Sequence, residues 1–493
     1  MREPPVREPP GAPSEPRQPG PTEPLLIEHG TVVTDAGSLP ADVLVRDGRV
    51  VALLAPGTSG SVREGLGADD GLRRIDATGK LVIPGGVDAH THLEMPLGAL
   101  RSSDTFETGT TAAAWGGTTT VVDFAVQPRG DSPLVGLAEW QARAAEHAAV
   151  DYGFHMILSD VSDRALADLE QLVGEGVTSI KVFMAYPGRL YADDGQILAA
   201  MQAAARTGMV CMVHAENGIA IDLLVAQAIE RGETAPPAHA TTRPPALEGE
   251  AVHRAIALAR IAGCPLYLVH LSTREAVSQV RRARHAGQPV VGETCPQYLF
   301  LDQSLLAGPD GRDFVCSPPL RTERHRRALW RGLARRDLSV VATDHCPFCR
   351  ADRALVGATD FSRIPNGLPG LEYRLNLLYQ GVVRGTITLE RWVELVSSAP
   401  ARLCGLWPRK GSLLPGADAD IVVYNPARTT VLGARSHHMA VDSSPYEGMV
   451  LEGGVDTVLS RGVPLVSGDR FVGRAGHGRF LVRDPVDLAH WRR

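Results

Sequence analysis

The chain is expected to be an α/β protein: a closed (β/α)8 (TIM) barrel with a β-sandwich built from the N- and C-terminal segments. Three observations lead to this. Between about residues 84 and 410, eight short apolar runs alternate with Ala-, Leu- and Arg-rich stretches of helical spacing. Strand-like text flanks that middle on both sides. Histidines and carboxylates gather at the ends of the runs, where a barrel opens.

Taken in order, residues 1–24 hold nine of the 36 prolines in a charged text without an apolar stripe. Such a segment cannot bury enough surface to offset its ordering entropy, so a disordered Pro-rich arm is expected. It has no apolar stretch of signal-peptide type. Residues 25–83 read as strands and hairpins (LLIEHGTVV, DVLVRDGRVVALL, GKLVI), and the same pattern returns over 411–475 in ADADIVVYNP and VDTVLSRGVPLVSG. Neither piece has strands enough for a core, which predicts one sandwich from both. Residues 476–493 form a tail. The eight barrel runs, within 84–410, are GGVDAHTH, TTTVVDFA, DYGFHMILS, TSIKVFMA, MVCMVHAE, PLYLVHLS, PVVGETCP and SVVATDHCP. An open doubly wound sheet would want a phosphate-cradling glycine loop after its first strand, and GGVDAHTH supplies none.

Composition narrows the function. Fifty basic against 56 acidic residues give a net charge of −6, which argues against a nucleic-acid partner. No run of about 18 apolar residues occurs, so no membrane span is expected. Seven scattered cysteines make no disulfide framework, and a soluble protein of the reducing cytoplasm fits them. Cys346 and Cys349 form a single CxxC, short of a structural zinc site.

His90 and His92 close the first run, Lys181 lies in the fourth, His214 ends the fifth, His270 the sixth and Asp344 the eighth. Strand C-termini of a barrel share one face, so these six groups converge on one mouth. His155 and His253 are expected to be satisfied core histidines instead. Strand alternation points His90 and His92 the same way. Four imidazoles and a carboxylate suit a borderline ion such as zinc and exceed what one catalytic ion needs, so two metals are the better count. Two such ions need an anionic bridge. Lys181, desolvated, would lose its proton and could take up carbon dioxide as a carbamate; a salt bridge to Asp344 beside a single metal is the alternative.

The segments GGVDAHTHLEMP, KVFMAYPG, CMVHAENG, VHLST, GETCPQYLF, CSPPLR, ATDHCPF and FSRIPNGLPGLE resemble the dihydropyrimidinase/hydantoinase group of cyclic amidases in the amidohydrolase superfamily. The likeness runs from about residue 25 to about 480. It implies two divalent ions per subunit, Zn2+ by preference, held by His90, His92, carbamylated Lys181, His214, His270 and Asp344. It implies hydrolytic opening of dihydrouracil, dihydrothymine or 5-substituted hydantoins to N-carbamoyl amino acids by a hydroxide between the metals, a reaction of pyrimidine catabolism. In that scheme Asp344 shuttles the proton and Tyr186 hydrogen-bonds the oxyanion, while Ser317 and Asn366 bind the imide edge through their backbones. Met95, Leu97, Phe183 and Leu190 would line a pocket for the ring substituent, and the chain would be a homotetramer. Dihydroorotases carry an arginine after the HxH motif, where this chain has Leu93-Glu94-Met95-Pro96, so a neutral ring is favoured. An allantoinase-like amidohydrolase and a scaffolding relative without catalysis are the competing readings; retention of all six ligand positions counts against the scaffold.

Overall fold

The computed structural model describes residues 23–58 and 71–486. The expected Pro-rich arm, up to residue 22, and the last seven residues of the tail, 487–493, lie outside the described residues.

Among the described residues seven strands precede the barrel: β1 (Leu25–Glu28), β2 (Thr31–Val33), β3 (Ser38–Pro40), β4 (Asp42–Arg46), β5 (Arg49–Leu54), β6 (Arg73–Asp76) and β7 (Leu81–Pro84). Short β-branched segments broken at Asp47-Gly48 and Thr78-Gly79 suit this layer, since Gly48 and Gly79 adopt the left-handed backbone that these turns need. Strands β5-β4-β1-β6 form one sheet. The barrel opens with β8 (Gly86–Thr91), followed by a small hairpin of β9 (Pro96–Leu97) and β10 (Leu100–Arg101). Its other staves are β11 (Thr118–Val126), β12 (Asp151–Ile157), β13 (Ser179–Phe183), β14 (Val210–His214), β15 (Leu266–Leu268), β16 (Val290–Thr294) and β17 (Val340–Val341). All eight expected runs are present as strands, parallel and in sequence order. Beyond β17 the chain closes the ring against β8: the Asp344 N–H donates to His90 O at 2.9 Å and the His92 N–H to His345 O at 2.8 Å.

Four strands return to the sandwich: β18 (Ile421–Val431), β19 (Val450–Ser460), β20 (Val463–Ser467) and β21 (Arg470–Phe471). They join β7, β2 and β3 in a seven-stranded sheet, with Ile421 opposite Pro84. Among the described residues only this sheet mixes the two ends of the chain; the four strands of the other are all N-terminal. The sandwich core between them holds Ile27, Val43, Val45, Val82, Ile421 and Leu459.

The connecting helices follow from local chemistry. In the helix Asp194–Thr207, the Asp193 carboxylate accepts from the Gln196 N–H at 2.8 Å and the Gln196 amide oxygen from the Asp193 N–H at 3.0 Å. Gly208, at φ 72°, ends it. Its Ile197, Ala200, Met201 and Ala204 make one buried face against the barrel. The lumen below the mouth is packed with Phe124, Met212, Tyr267, Val291 and Val340, so the barrel floor is solid.

At the opposite end, Lys410 ties barrel to sandwich. Its fully buried ammonium lies 2.6 Å from Asp151 at the start of β12, 3.0 Å from Asp418 and 2.8 Å from Asp420. Arg461 also pairs with Asp151. Burial pushes the Asp151 carboxyl up, but Lys410 and Arg461 outweigh it and hold the group at about 2. A carboxyl held below its ordinary value stabilises the fold above about pH 4, and that contribution is lost as pH falls towards 2. Replacing Lys410 with Met is expected to cost about 3–5 kcal/mol by stranding buried carboxylates. Guanidinium unfolding at pH 7 measures this, and the gap to the parent should narrow in acid. The tail also binds here, on this chain's own barrel: the Tyr152 N–H donates to Arg479 O at 3.0 Å and the Leu481 N–H to Tyr152 O at 2.7 Å. No helix among the described residues is long and apolar enough to cross a membrane.

Candidate active site

The six candidate groups meet at one mouth. His90 Nε2, His92 Nε2 and Asp344 Oδ1 form a triangle with edges of 3.2, 3.1 and 3.2 Å. Lys181 Nζ lies 3.0 Å from His90 Nε2, over the Phe124 ring at 4.2 Å. His214 and His270 stand edge to face with ring centres 4.5 Å apart, and the His270 ring is 5.6 Å from that of His90. The strand text explains the convergence. Lys181 projects inward from the middle of β13, His214 ends β14, and His270 and Asp344 follow two and three residues after β15 and β17.

Backbone strain gathers here as well. Nine non-glycine described residues have positive φ, and Tyr186 (64°), His270 (42°) and Asp344 (52°) are three of them. Each such conformation costs on the order of 1–3 kcal/mol and persists where surrounding contacts enforce it. His270 shows how, since its N–H donates to Glu293 Oε1 at 2.8 Å.

The donors fit divalent metal. A zinc ion with Zn–N bonds of about 2.0–2.1 Å sets tetrahedral ligand atoms about 3.3 Å apart, close to the triangle's edges. His90 Nδ1 faces the Glu293 carboxylate at 2.8 Å, which makes Nδ1 the protonated nitrogen and leaves the Nε2 lone pair on the triangle. His214 Nε2 faces Glu216 at 2.8 Å, which frees Nδ1 in the same way. His270 Nδ1 is buried with no hydrogen-bond partner. Burial pulls His92 down to about 3 and His270 far below its ordinary value, so both rings are neutral. Burial opposes the charge on Asp344, but His90 and His92 hold its carboxyl well below the usual range. The neutral His92 and His270 rings and the ionised Asp344 carboxylate are in the protonation states that a metal requires.

Lys181 makes no ion pair among the described residues, so the expected alternative of a salt bridge to Asp344 is not what the side chain does. Desolvation lowers its ammonium from 10.5 to about 8.

The loops supply the remaining predicted residues. Tyr186 opens a tight turn, its carbonyl accepting from the Arg189, Leu190 and Tyr191 N–H groups. Its ring lies 5.1 Å from His214, and burial pushes its hydroxyl well up, so it remains a donor. Ser317 Oγ and Asn366 Oδ1 are both buried without partners. Phe183 packs with Met95, Tyr186 and Leu190 in one apolar cluster. Leu97 is not in that cluster; it sits on the β9–β10 hairpin, paired with Leu100. His155 is a satisfied core residue, bonded to Ser179 Oγ and, at 3.0 Å, to Ala89 O. His253 departs from the expectation, because it is exposed on the helix Pro245–Ala262.

Sequence reasoning passed over three supporting carboxylates. Glu293, next to last in β16, accepts from His90, the His270 N–H and Tyr267 OH, so it fixes two strand ends at once. Glu216 orients His214. Asp123 accepts from Thr91 Oγ1 at 2.7 Å and the Leu93 N–H at 2.8 Å, bracing the chain around His92; burial raises its carboxyl to about 7. Position at a strand end marks Glu293, by the same logic that marked the histidines.

Known proteins share this architecture. The amidohydrolase family model matches residues 81–465. The D-hydantoinase of Streptomyces coelicolor is 57% identical over 460 residues, covering 93% of this chain and 97% of that protein. The crystal structure of dihydropyrimidinase from Brevibacillus agri NCHU1002 superposes with a TM-score of 0.91 at 44% identity, covering 94% of this chain and 99% of the other. An L-hydantoinase (dihydropyrimidinase) from Arthrobacter aurescens superposes at 0.84 with 29% identity, over 93% and 99% of the two chains. With the barrel, the sandwich and the converging ligand set in place, the chain belongs to the amidohydrolase family.

Proposed function

We propose that this protein is a D-selective hydantoinase/dihydropyrimidinase: it opens 5-substituted hydantoins and dihydropyrimidines by hydrolysis of the ring amide. The observation that carries the reading is the triangle of His90, His92 and Asp344 with Lys181 at 3.0 Å from its corner, and with the Tyr186 ring 5.1 Å from that of His214. The relatives named D-hydantoinase support the ring class and the D preference. His90, His92, His214, His270, Asp344 and Lys181 as its carbamate would together hold a pair of divalent ions. The neutral imidazole and carboxylate donors suit zinc. When bound, such a pair would lower the pKa of water from 15.7 to about 7 and so supply a nucleophile at neutral pH.

The chain's own residues do the rest. Ser317 and Asn366 present backbone groups to the imide edge and hold the ring flat. Tyr186 donates its hydroxyl proton in a hydrogen bond to the carbonyl oxygen that gains charge. Asp344 takes the proton of the attacking water and returns it to the ring nitrogen as the C–N bond breaks. Water is thereby added across that bond, and the product is an N-carbamoyl amino acid. Met95, Phe183 and Leu190 face the 5-substituent. The reading extends to a cytoplasmic homotetramer, in keeping with the family likeness.

A kinetic panel tests it. Purified enzyme should open dihydrouracil and 5-substituted hydantoins, with the D enantiomer consumed first on a chiral column, and elemental analysis should find two divalent ions per chain. Turnover of allantoin alone, or none at all in metal-loaded protein, would overturn the assignment.

A further inference from the structure

We infer that Arg353, outside the metal and substrate contacts, is a positioning residue that sets the spacing of the two loops binding the imide edge. The inference rests on the reading of Ser317 and Asn366 given above.

Arg353 lies on the helix Arg350–Val356 and is 1% exposed. No carboxylate lies within 4 Å of its guanidinium among the described residues, which is a costly state for a buried cation. Its hydrogen bonds go to backbone carbonyls instead. Nε donates to Phe348 O at 3.3 Å, Nη1 to Arg312 O at 3.0 Å and to Pro365 O at 3.1 Å, and Nη2 to Gly367 O. Pro365 and Gly367 flank Asn366, so the carbonyls on both sides of that residue are held by one group. Arg312 begins the approach to Ser317, and the Gly367 N–H donates to Val315 O at 3.0 Å, which joins the two loops directly. Phe348 belongs to the segment that follows Asp344. Three stretches of chain, each carrying a site residue, therefore meet on one planar fork.

The fit is close enough to forbid substitutes elsewhere. A Cβ at Gly367 would lie 2.3 Å from Cys346 O, with the backbone at φ 150°. Recognition of a flat imide by main-chain groups leaves no flexible side chain to absorb a shift, so loop spacing passes directly into substrate affinity. Lysine keeps the charge but has neither the plane nor the reach to four carbonyls.

The test is steady-state kinetics of Arg353→Lys and Arg353→Gln holoenzyme with hydantoin and dihydrouracil. KM should rise about 10- to 100-fold while kcat stays within about threefold, the split expected when binding common to ground and transition states is lost. Metal content should equal that of the parent. Parental KM in the lysine variant, or a fall in kcat together with loss of metal, would overturn the role of the fork. If the glutamine variant does not fold, the lysine variant decides alone. Hydantoin methylated on the imide nitrogen separates the two claims: its cleavage by the parent enzyme at the rate of hydantoin would sink the imide reading itself, whatever the variants do.

Discussion

Lys181→Ala is expected to abolish both turnover and retention of the metal pair. The side chain is 1% exposed, its nitrogen lies 3.0 Å from His90 Nε2, and no carboxylate among the described residues pairs with it. A charged ammonium in that position repels a divalent ion, whereas the carbamate of the neutral amine is an anion that attracts two. Desolvation lowers the lysine to about 8, which raises the share of free amine at neutral pH compared with an exposed lysine. Metal-derived stabilisation of the transition state amounts to several kcal/mol. At 1.36 kcal/mol per tenfold, its loss implies a fall in kcat of at least about 10³-fold. Elemental analysis should find fewer than two ions per chain, and labelled bicarbonate should give a carbamate carbon signal in the parent that the variant lacks. Addition of a short carboxylic acid should restore part of the activity, since the alanine cavity then admits a bridging carboxylate. Full activity and two ions in the variant would remove Lys181 from the bridge.

The parts of this molecule that the sequence makes legible are those where a residue's identity reports its environment. Each barrel stave is a buried run in which apolar residues recur, and the histidine or carboxylate near its end stands out. That is why His90, His92, His214, His270 and Asp344 could be grouped across more than 250 residues. The sandwich is legible as strands but only partly as sheets, because β-branched text does not say which strand pairs with which; the all-N-terminal sheet of β5-β4-β1-β6 follows from register alone. Glu293 was within reach of the same strand-end logic, yet a glutamate in GETCP carries no sign that its partners are His90 and a backbone N–H. Arg353 was out of reach. Its partners are carbonyls, which every residue has, and RADRALV reads as ordinary helix. Leu97 shows the converse, since a leucine close to the HxH motif in sequence is set apart from the apolar cluster by the turn of the β9–β10 hairpin.

Tyr186→Phe is the sharpest test of chemistry as opposed to assembly, because it removes one oxygen and no ligand. The phenylalanine ring can keep the contacts with Phe183 and His214, whose ring centres are 6.0 and 5.1 Å away. Metal content and fold should therefore be those of the parent. What is lost is a preorganised donor in a buried site, where a hydrogen bond to developing charge is worth more than in water. Loss of one such donor lowers kcat by about 10²–10³-fold, and KM should change far less, because the neutral carbonyl of the ground state gains little from the phenol. Burial and the nearby Glu216 push the hydroxyl well above its ordinary value. A group raised in this way stays protonated through the neutral and mildly alkaline range, so the parent's pH–rate profile should have no alkaline limb from Tyr186, and the variant's profile should keep the parent's shape at a lower height. A fall confined to KM, or a changed profile, would place Tyr186 in binding and leave oxyanion stabilisation to other groups. The backbone argues for the donor role: the chain accepts φ 64° at a tyrosine, beside Pro187 and the left-handed Gly188, to hold this hydroxyl at the barrel mouth.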